Sequence, residues 1–412
     1  MTVAVAAIAT ASPAAALQTT VAIRERCGNV AAAVTADRSR FFRIDRGRLD
    51  SAAERVAKVT RRRYPDLAIP GHSRWRHFEA GGIDRRAELD RALSGRSAAE
   101  RARAHIDLAV VSVLLDAGAG PAWRYAEAET NQRFARSEGL GVASFRAFMH
   151  GAFASSPRDP LRVDASALAG VDSTKLARLF QATDRNPLVG LDGRAALLRR
   201  LSAAVVDRPQ VFGDSARPGA LFDSLTDRGQ RTTIDAQAIL RALLEGLGTI
   251  WLTPSSLGGA PLGDVWRHPQ AGGDGPTAGW VPFHKLSQWL AYSLLEPFAW
   301  AGVMVTGRDE LTALPEYRNG GLLLDTGVLA LRNDADALVA WDVGSELVVE
   351  WRALTVALLD ELAPRVRALL GIADLPLACI LEGGTWAAGR ELASELRGGD
   401  PPLAIRSDGT VF

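Results

Sequence analysis

The sequence predicts a mostly α-helical protein organised as a single large domain, and three observations carry that prediction. Apolar residues recur three and four apart over long stretches, among them SAAERVAKVTRRR, DGRAALLRRLSAAVVD, TIDAQAILRALLEGLG and SELVVEWRALTVALLDELAPRVRALLG. Strict alternation, the mark of a half-buried strand, is scarce. Helix punctuation agrees, with Asp164, Asp172 and Thr233 near helix starts and Gly371 after the last turn of RVRALLG. No repeat of fixed period is visible, which argues against a solenoid.

A chain of 412 residues with 47% hydrophobic content holds enough apolar side chains for a substantial core. Its 48 Lys and Arg against 47 Asp and Glu leave a formal charge of +1, so no global field exists to hold a nucleic-acid backbone or an anionic membrane. An anionic ligand has to be met by local charge. The two cysteines, Cys27 and Cys379, lie far apart, against a disulfide framework or a thiolate zinc site, and a reducing compartment is expected.

In chain order, the Ala-rich residues 1–18 lack the basic flank of a secretory signal and read as a flexible tail. No apolar run approaches the roughly 20 residues of a membrane span, so a cytoplasmic protein with no membrane partner is expected. Residues 19–412 are expected to form the helical domain. Within it, HSRWRHFEAGG supplies Arg74, Arg76 and His77, cations that suit a phosphomonoester if they converge. A solvated loop around one buried tryptophan fits the same residues. His72 and His77 are five apart, off a common helix face, and no carboxylate follows at metal-ligand spacing, so no metal is expected.

Next, VVSVLLDAGAGPAWRYAEAE sets Asp116 at the end of an apolar run, with Trp123 and Tyr125 as a wall for a flat ligand. Gly118 and Gly120 do not make a dinucleotide fingerprint and no Walker loop occurs, so no cofactor is expected. The stretch 253–283 is rich in Gly and Pro yet holds Asp264, Trp266, Arg267, His268 and Trp280, which predicts an ordered loop over a pocket.

Lysine is scarce: Lys58, Lys175 and Lys285 are the only three among 48 basic residues. A lysine kept against that bias is a candidate for the compact, titratable ammonium that arginine cannot supply. In PFHKLSQWLAYSLLEPF the three-and-four rule puts Lys285, Gln288 and Tyr292 on one helix face and Leu286, Leu290 and Leu294 on another. A snorkelling surface lysine fits this spacing equally. Downstream, LPEYRNGGLLLDTGVL offers Glu316 and Arg318, then Asp325 after three leucines. A carboxylate beside so apolar a run needs a partner or a job, and a helix cap is one such job. Glu316 after Pro315 also fits an exposed first turn. The C-terminal part allows a short strand in ADLPLACI and a small β ribbon in PLAIRSDGTVF about Asp408 and Gly409.

The blocks HSRWRHFEAGG, RSEGLGVASFRAFMHG, NPLVGLDGRAALL, PLGDVWRHP, VPFHKLSQWLAYSLLEPF and LPEYRNGGLLLDTGVL resemble the uracil-catabolism family of fungi and bacteria, over most of the chain. That resemblance implies a step of a ring-opening route from uracil through its ribonucleotide to a ribosylurea and then urea. More distantly, HKLSQ, EYR, GVL and EWR resemble the Tyr-Lys-x-x-Gln, Asp-Tyr-Arg, Gly-Ala-Leu and Glu-x-Arg stretches of queuosine-salvage N-glycosylases, in the same order and with nearly the same spacing. The match pairs Lys285 and Gln288, Glu316 to Arg318, Gly327 to Leu329, and Glu350 with Arg352.

This second resemblance implies a DNA-glycosylase-like helical fold and cleavage of a bond between C1′ and nitrogen. It carries catalytic roles onto Lys285 and onto Glu316, which is one methylene longer than the family's aspartate, and leaves Asp116 and Glu138 as loose counterparts of base-binding residues. Asp264, Gln288, Tyr292, Arg318 and Asp325 complete the expected substrate contacts. The expected reaction is hydrolysis of ribosylurea, with the 5′-phosphate form preferred, to urea and the sugar. A ribonucleotide-binding protein without turnover, or a C–N hydrolase acting on an open-chain ureide, would use the same residues differently.

Overall fold

The computed structural model describes residues 12–116, 118–251 and 253–406. Its longest element, the helix Glu346–Leu370, is buried all round in its first half, with buried residues at every position from Leu347 to Val356. Such a helix needs covering on several sides. Thr20–Thr35 and Leu49–Arg63 supply two of them. Leu49–Arg63 buries Leu49, Ala52, Ala53, Val56 and Ala57 on one stripe and ends in Arg61, Arg62 and Arg63, where cations favour the negative end of the helix dipole.

A second layer places the site. Lys285–Trp300 packs against Ala98–Leu114 and Ala236–Leu247, and Tyr317–Asp325 packs closely on Trp386–Arg397. That last approach depends on Gly389, where a Cβ would sit 2.0 Å from the Arg318 carbonyl oxygen. Strands are short and paired in twos, six pairs among the described residues, so the fold is mostly α. Among the described residues no helix is long and apolar enough to cross a membrane.

The expected caps largely hold. Asp164 accepts from the Ala167 N–H at 3.0 Å and Asp172 from the Lys175 N–H at 2.6 Å, while Gly371 takes the left-handed conformation after Leu370. Thr233 instead begins the strand Thr233–Asp235, and Asp235 caps the next helix through the Gln237 N–H at 2.7 Å. The stretch ADLPLACI holds the helix Leu377–Ile380 rather than a strand. It continues through a π turn, Leu381–Thr385, into Trp386–Arg397. Four apolar residues have no period of their own, and their burial decided the outcome.

Residues 253–283 form two hairpins, Ser256–Leu257 with Ala260–Pro261 and Val265–Arg267 with Trp280–Pro282. At the C-terminal end, Ala404–Arg406 pairs in parallel with the distant Ala340–Asp342, and Asp408 and Gly409 lie outside the described residues. At the other end, the part of the expected tail that is described packs inward: Pro13–Ala16 is a helical turn, and Leu17 is 1% exposed.

Candidate active site

Lys285 opens its helix directly after His284, which adopts the left-handed conformation at φ 49°. For a residue with a Cβ that conformation costs roughly 1–2 kcal/mol. It is held by contacts on both sides. The His284 Nε2 lies 3.0 Å from the Leu17 carbonyl oxygen, which makes it a donor there, and the Lys285 N–H donates to Asp264 Oδ2 at 2.9 Å.

Asp264 is the fixed point of this arrangement. Arg352 grips it with two bonds of 2.8 and 2.7 Å, and the Trp266 indole N–H donates to it at 2.7 Å. Burial would raise the Asp264 carboxyl, but the Arg352 charge and these donors outweigh it and hold the group below its ordinary value. Asp264 is therefore an anchor for the lysine, its oxygens spent on protein partners, and not a free hand for substrate.

Lys285 is 9% exposed. Burial and the neighbouring Arg352 cation pull its pKa down to about 8, against the opposing pull of Glu316, Asp264 and Asp116. Its place in the first turn adds the positive end of the helix dipole to the same side. Glu316 is the N-cap of Tyr317–Asp325 and accepts from the Arg318 N–H at 2.8 Å and the Asn319 N–H at 2.5 Å. Burial pushes its carboxyl above the ordinary value, opposed by these two N–H groups and by Lys285. Two helix N-termini thus bring one cation and one anion close enough for each to shift the ionisation of the other.

A second charged cluster adjoins. Arg74 is fully buried and donates to Asp116 Oδ2 at 3.0 Å, to Ser112 Oγ at 2.6 Å and to the Ser137 carbonyl at 3.3 Å. Its guanidinium stands 5.7 Å from the Trp289 ring. Glu138 pairs with Arg390 at 2.7 Å, and its charge reaches Asp116 and Arg74. Burial raises the Asp116 carboxyl and, together with the Arg74 cation, pushes His77 well below its ordinary value, so His77 is neutral.

Other predicted contacts are spent elsewhere. Gln288 bonds Thr312 in both directions, its Oε1 accepting from the Thr312 N–H at 2.9 Å and its Nε2 donating to the hydroxyl, and Tyr292 donates to the Thr312 carbonyl at 3.0 Å. Trp123 is fully buried with its N–H on the Phe180 carbonyl at 2.9 Å, and Tyr125 sits in a strand paired to Phe134. Asp325 is bound by Arg397 at 2.7 Å at the far end of its helix from Glu316. Arg76 is taken by Glu296 at 2.7 Å and Glu79 at 3.0 Å, so Arg74, Arg76 and His77 do not form one phosphate cradle. Arg318 donates to the Gly399 carbonyl at 3.1 Å, and its Nε is buried with no partner.

Three contributors escaped the sequence reading as site residues. Trp289 is four residues after Lys285 and was open to the same spacing rule that favoured Gln288. Arg352 entered only through the EWR match, and nothing local marks Arg390. Among the described residues no group of three His, Cys, Asp or Glu is placed to hold a metal ion. Cavities of about 330 and 220 Å³ lie elsewhere, around Ser155 and Asp164 and around Asp90 and His105, and none of the predicted site residues lines them.

Against this geometry, the family model described as "Protein of unknown function (DUF1688)" matches residues 16–412. The chain is 37% identical over 404 residues to "Uracil catabolism protein 4" of Lachancea kluyveri, covering 90% of this chain and 92% of that protein. It is 39% identical over 382 residues to "Protein urg3" of Schizosaccharomyces pombe, with 90% and 92% coverage.

Proposed function

The chain belongs to the DUF1688 family, and from that premise we propose that it hydrolyses the N-glycosidic bond of a ribosylurea-type compound in uracil catabolism. The pathway is the one for which the Lachancea relative is named. The chemistry is supported above all by one arrangement: a buried lysine, its pKa drawn down to about 8, beside a part-buried glutamate that caps a helix.

Breaking a C1′–N bond builds positive charge on the ribose, and an anion fixed in place beforehand stabilises that transition state more than the ground state. Glu316 is that anion, and it also orients the attacking water and takes its proton. The water oxygen bonds to C1′, the C1′–N bond breaks, and the nitrogen leaves with a proton as urea. Lys285, mostly ammonium at neutral pH, keeps Glu316 ionised and is the nearest acid for the departing nitrogen. Glu316 keeps part of its surface open, so the sugar approaches from its side.

The test is urea release by the purified protein from ribosylurea and from its 5′-phosphate. Release is expected from at least one, falling by about a hundredfold or more in Lys285→Ala and in Glu316→Gln. No release from either compound removes this reaction.

A further inference from the structure

Buried polar atoms without a hydrogen-bond partner cost about 1–3 kcal/mol each, so they are scattered and few in a settled core. Here four of them sit on side chains that meet around one tryptophan: Arg74 Nη2, Asp116 Oδ1, His77 Nδ1 and Trp289 Nε1. Arg74 is paired to Asp116 at 3.0 Å and stands 5.7 Å from the Trp289 ring, and the His77 ring meets Trp289 edge-on at 5.9 Å. The Arg74 side chain is 0% exposed and that of Asp116 6%. The cluster lies next to the proposed reaction centre, because Trp289 is one turn along the helix from Lys285 and the Asp116 charge acts on the Lys285 amine.

We propose that this cluster is the leaving-group subsite and that its ligand is an open ureido group, a carbonyl flanked by N–H donors. The pairing follows from the inventory. A carboxylate oxygen accepts only, and Asp116 Oδ1 takes a ureido N–H. The guanidinium and indole nitrogens donate only, and Arg74 Nη2 and Trp289 Nε1 are the donors left for the carbonyl oxygen. Neutral His77 offers a donor or an acceptor according to its tautomer. An apolar leaving group would leave all four atoms unsatisfied, which is how such sites reject the wrong ligand. An intact pyrimidine ring carries the same carbonyl and N–H chemistry in a cyclic frame, and the test separates the two. This assignment rests on the reading of the reaction given above for its placement but not for its measurement.

The experiment is calorimetric binding of ribosylurea, uridine and ribose 5-phosphate to protein with a wild-type subsite, with Asp116→Asn and with Trp289→Phe, all in the Glu316→Gln background so that ribosylurea is not consumed, and each checked for an unchanged unfolding transition. Trp289→Phe keeps an aromatic face and removes the N–H donor together with the pyrrole half of the indole. Ribosylurea is expected to bind the wild-type subsite at least about tenfold tighter than uridine, and to weaken about tenfold or more in Asp116→Asn and about threefold or more in Trp289→Phe, with ribose 5-phosphate unchanged. Binding of ribosylurea that is the same in all three proteins, absent from the wild-type subsite, or weaker than that of uridine overturns the proposal. So does a loss shared equally with ribose 5-phosphate. Selective binding, with no urea release by the unsubstituted protein in the assay above, supports the subsite while removing hydrolysis.

Discussion

Two buried charge clusters in this molecule behave in opposite ways. In the first, Glu127 is fully buried between Arg85 and Arg146, and every oxygen is taken: Arg85 donates Nε at 2.8 Å and a second bond from Nη2, Arg146 Nε donates at 2.6 Å, and Thr130 adds a hydroxyl at 2.6 Å. Arg85 spends its remaining nitrogen on the Phe78 and Ala80 carbonyls at 2.9 and 2.8 Å. Burial alone would raise the Glu127 carboxyl, yet these bonds bring it down to about 2. The cluster around Lys285, Glu316, Arg74 and Asp116 has the opposite signature. Its lysine is pulled down, its carboxyls are pushed up, and several buried polar atoms lack partners. A satisfied buried network serves the fold, whereas an unsatisfied one marks a candidate site.

The largest effect should come from the satisfied cluster. Glu127→Ala strands two buried guanidinium groups and should lower unfolding free energy by about 3–5 kcal/mol, read by denaturant titration. A loss below 1 kcal/mol would erase the contrast. Next, Lys285→Met should move stability the other way. Removing a desolvated ammonium while keeping its stem should raise unfolding free energy at pH 7 by roughly 1–3 kcal/mol, while urea release disappears.

The pH dependence sharpens the same comparison. The folded pKa of Lys285, about 8, lies below the ordinary lysine value of 10.5. Over that window the unfolded chain binds the extra proton, so the lysine's contribution to stability rises with pH from about 8 to 10.5. The stability advantage of Lys285→Met should therefore shrink across this range. An advantage constant with pH would mean that the lysine is not desolvated. Asp325→Ala should show the smallest change, about 1 kcal/mol from its ion pair with Arg397, with urea release unaltered.

Much of the helical architecture was legible because period and caps are local properties, as Leu49–Arg63, Asp164 and Asp172 show. The choice between Gln288 and Trp289 was not, since residues three and four beyond Lys285 flank it equally and only packing decides which strip meets Thr312 and which meets Arg74. Lys285 stood out through the rarity of lysine and through the HKLSQ match. The pairings around it did not: Asp264 meets Arg352 across 88 positions and Glu138 meets Arg390 across 252, separations over which no local pattern operates. The parallel pairing of Ala404–Arg406 with Ala340–Asp342 is hidden for the same reason.

The central claim is that Lys285 and Glu316 act as one electrostatic unit, and a double-mutant cycle on single-turnover urea release tests it most directly. If each supports the ionisation of the other, Lys285→Met and Glu316→Gln combined should be about as slow as the worse single variant. Losses that multiply would mean two independent groups and would contradict the account.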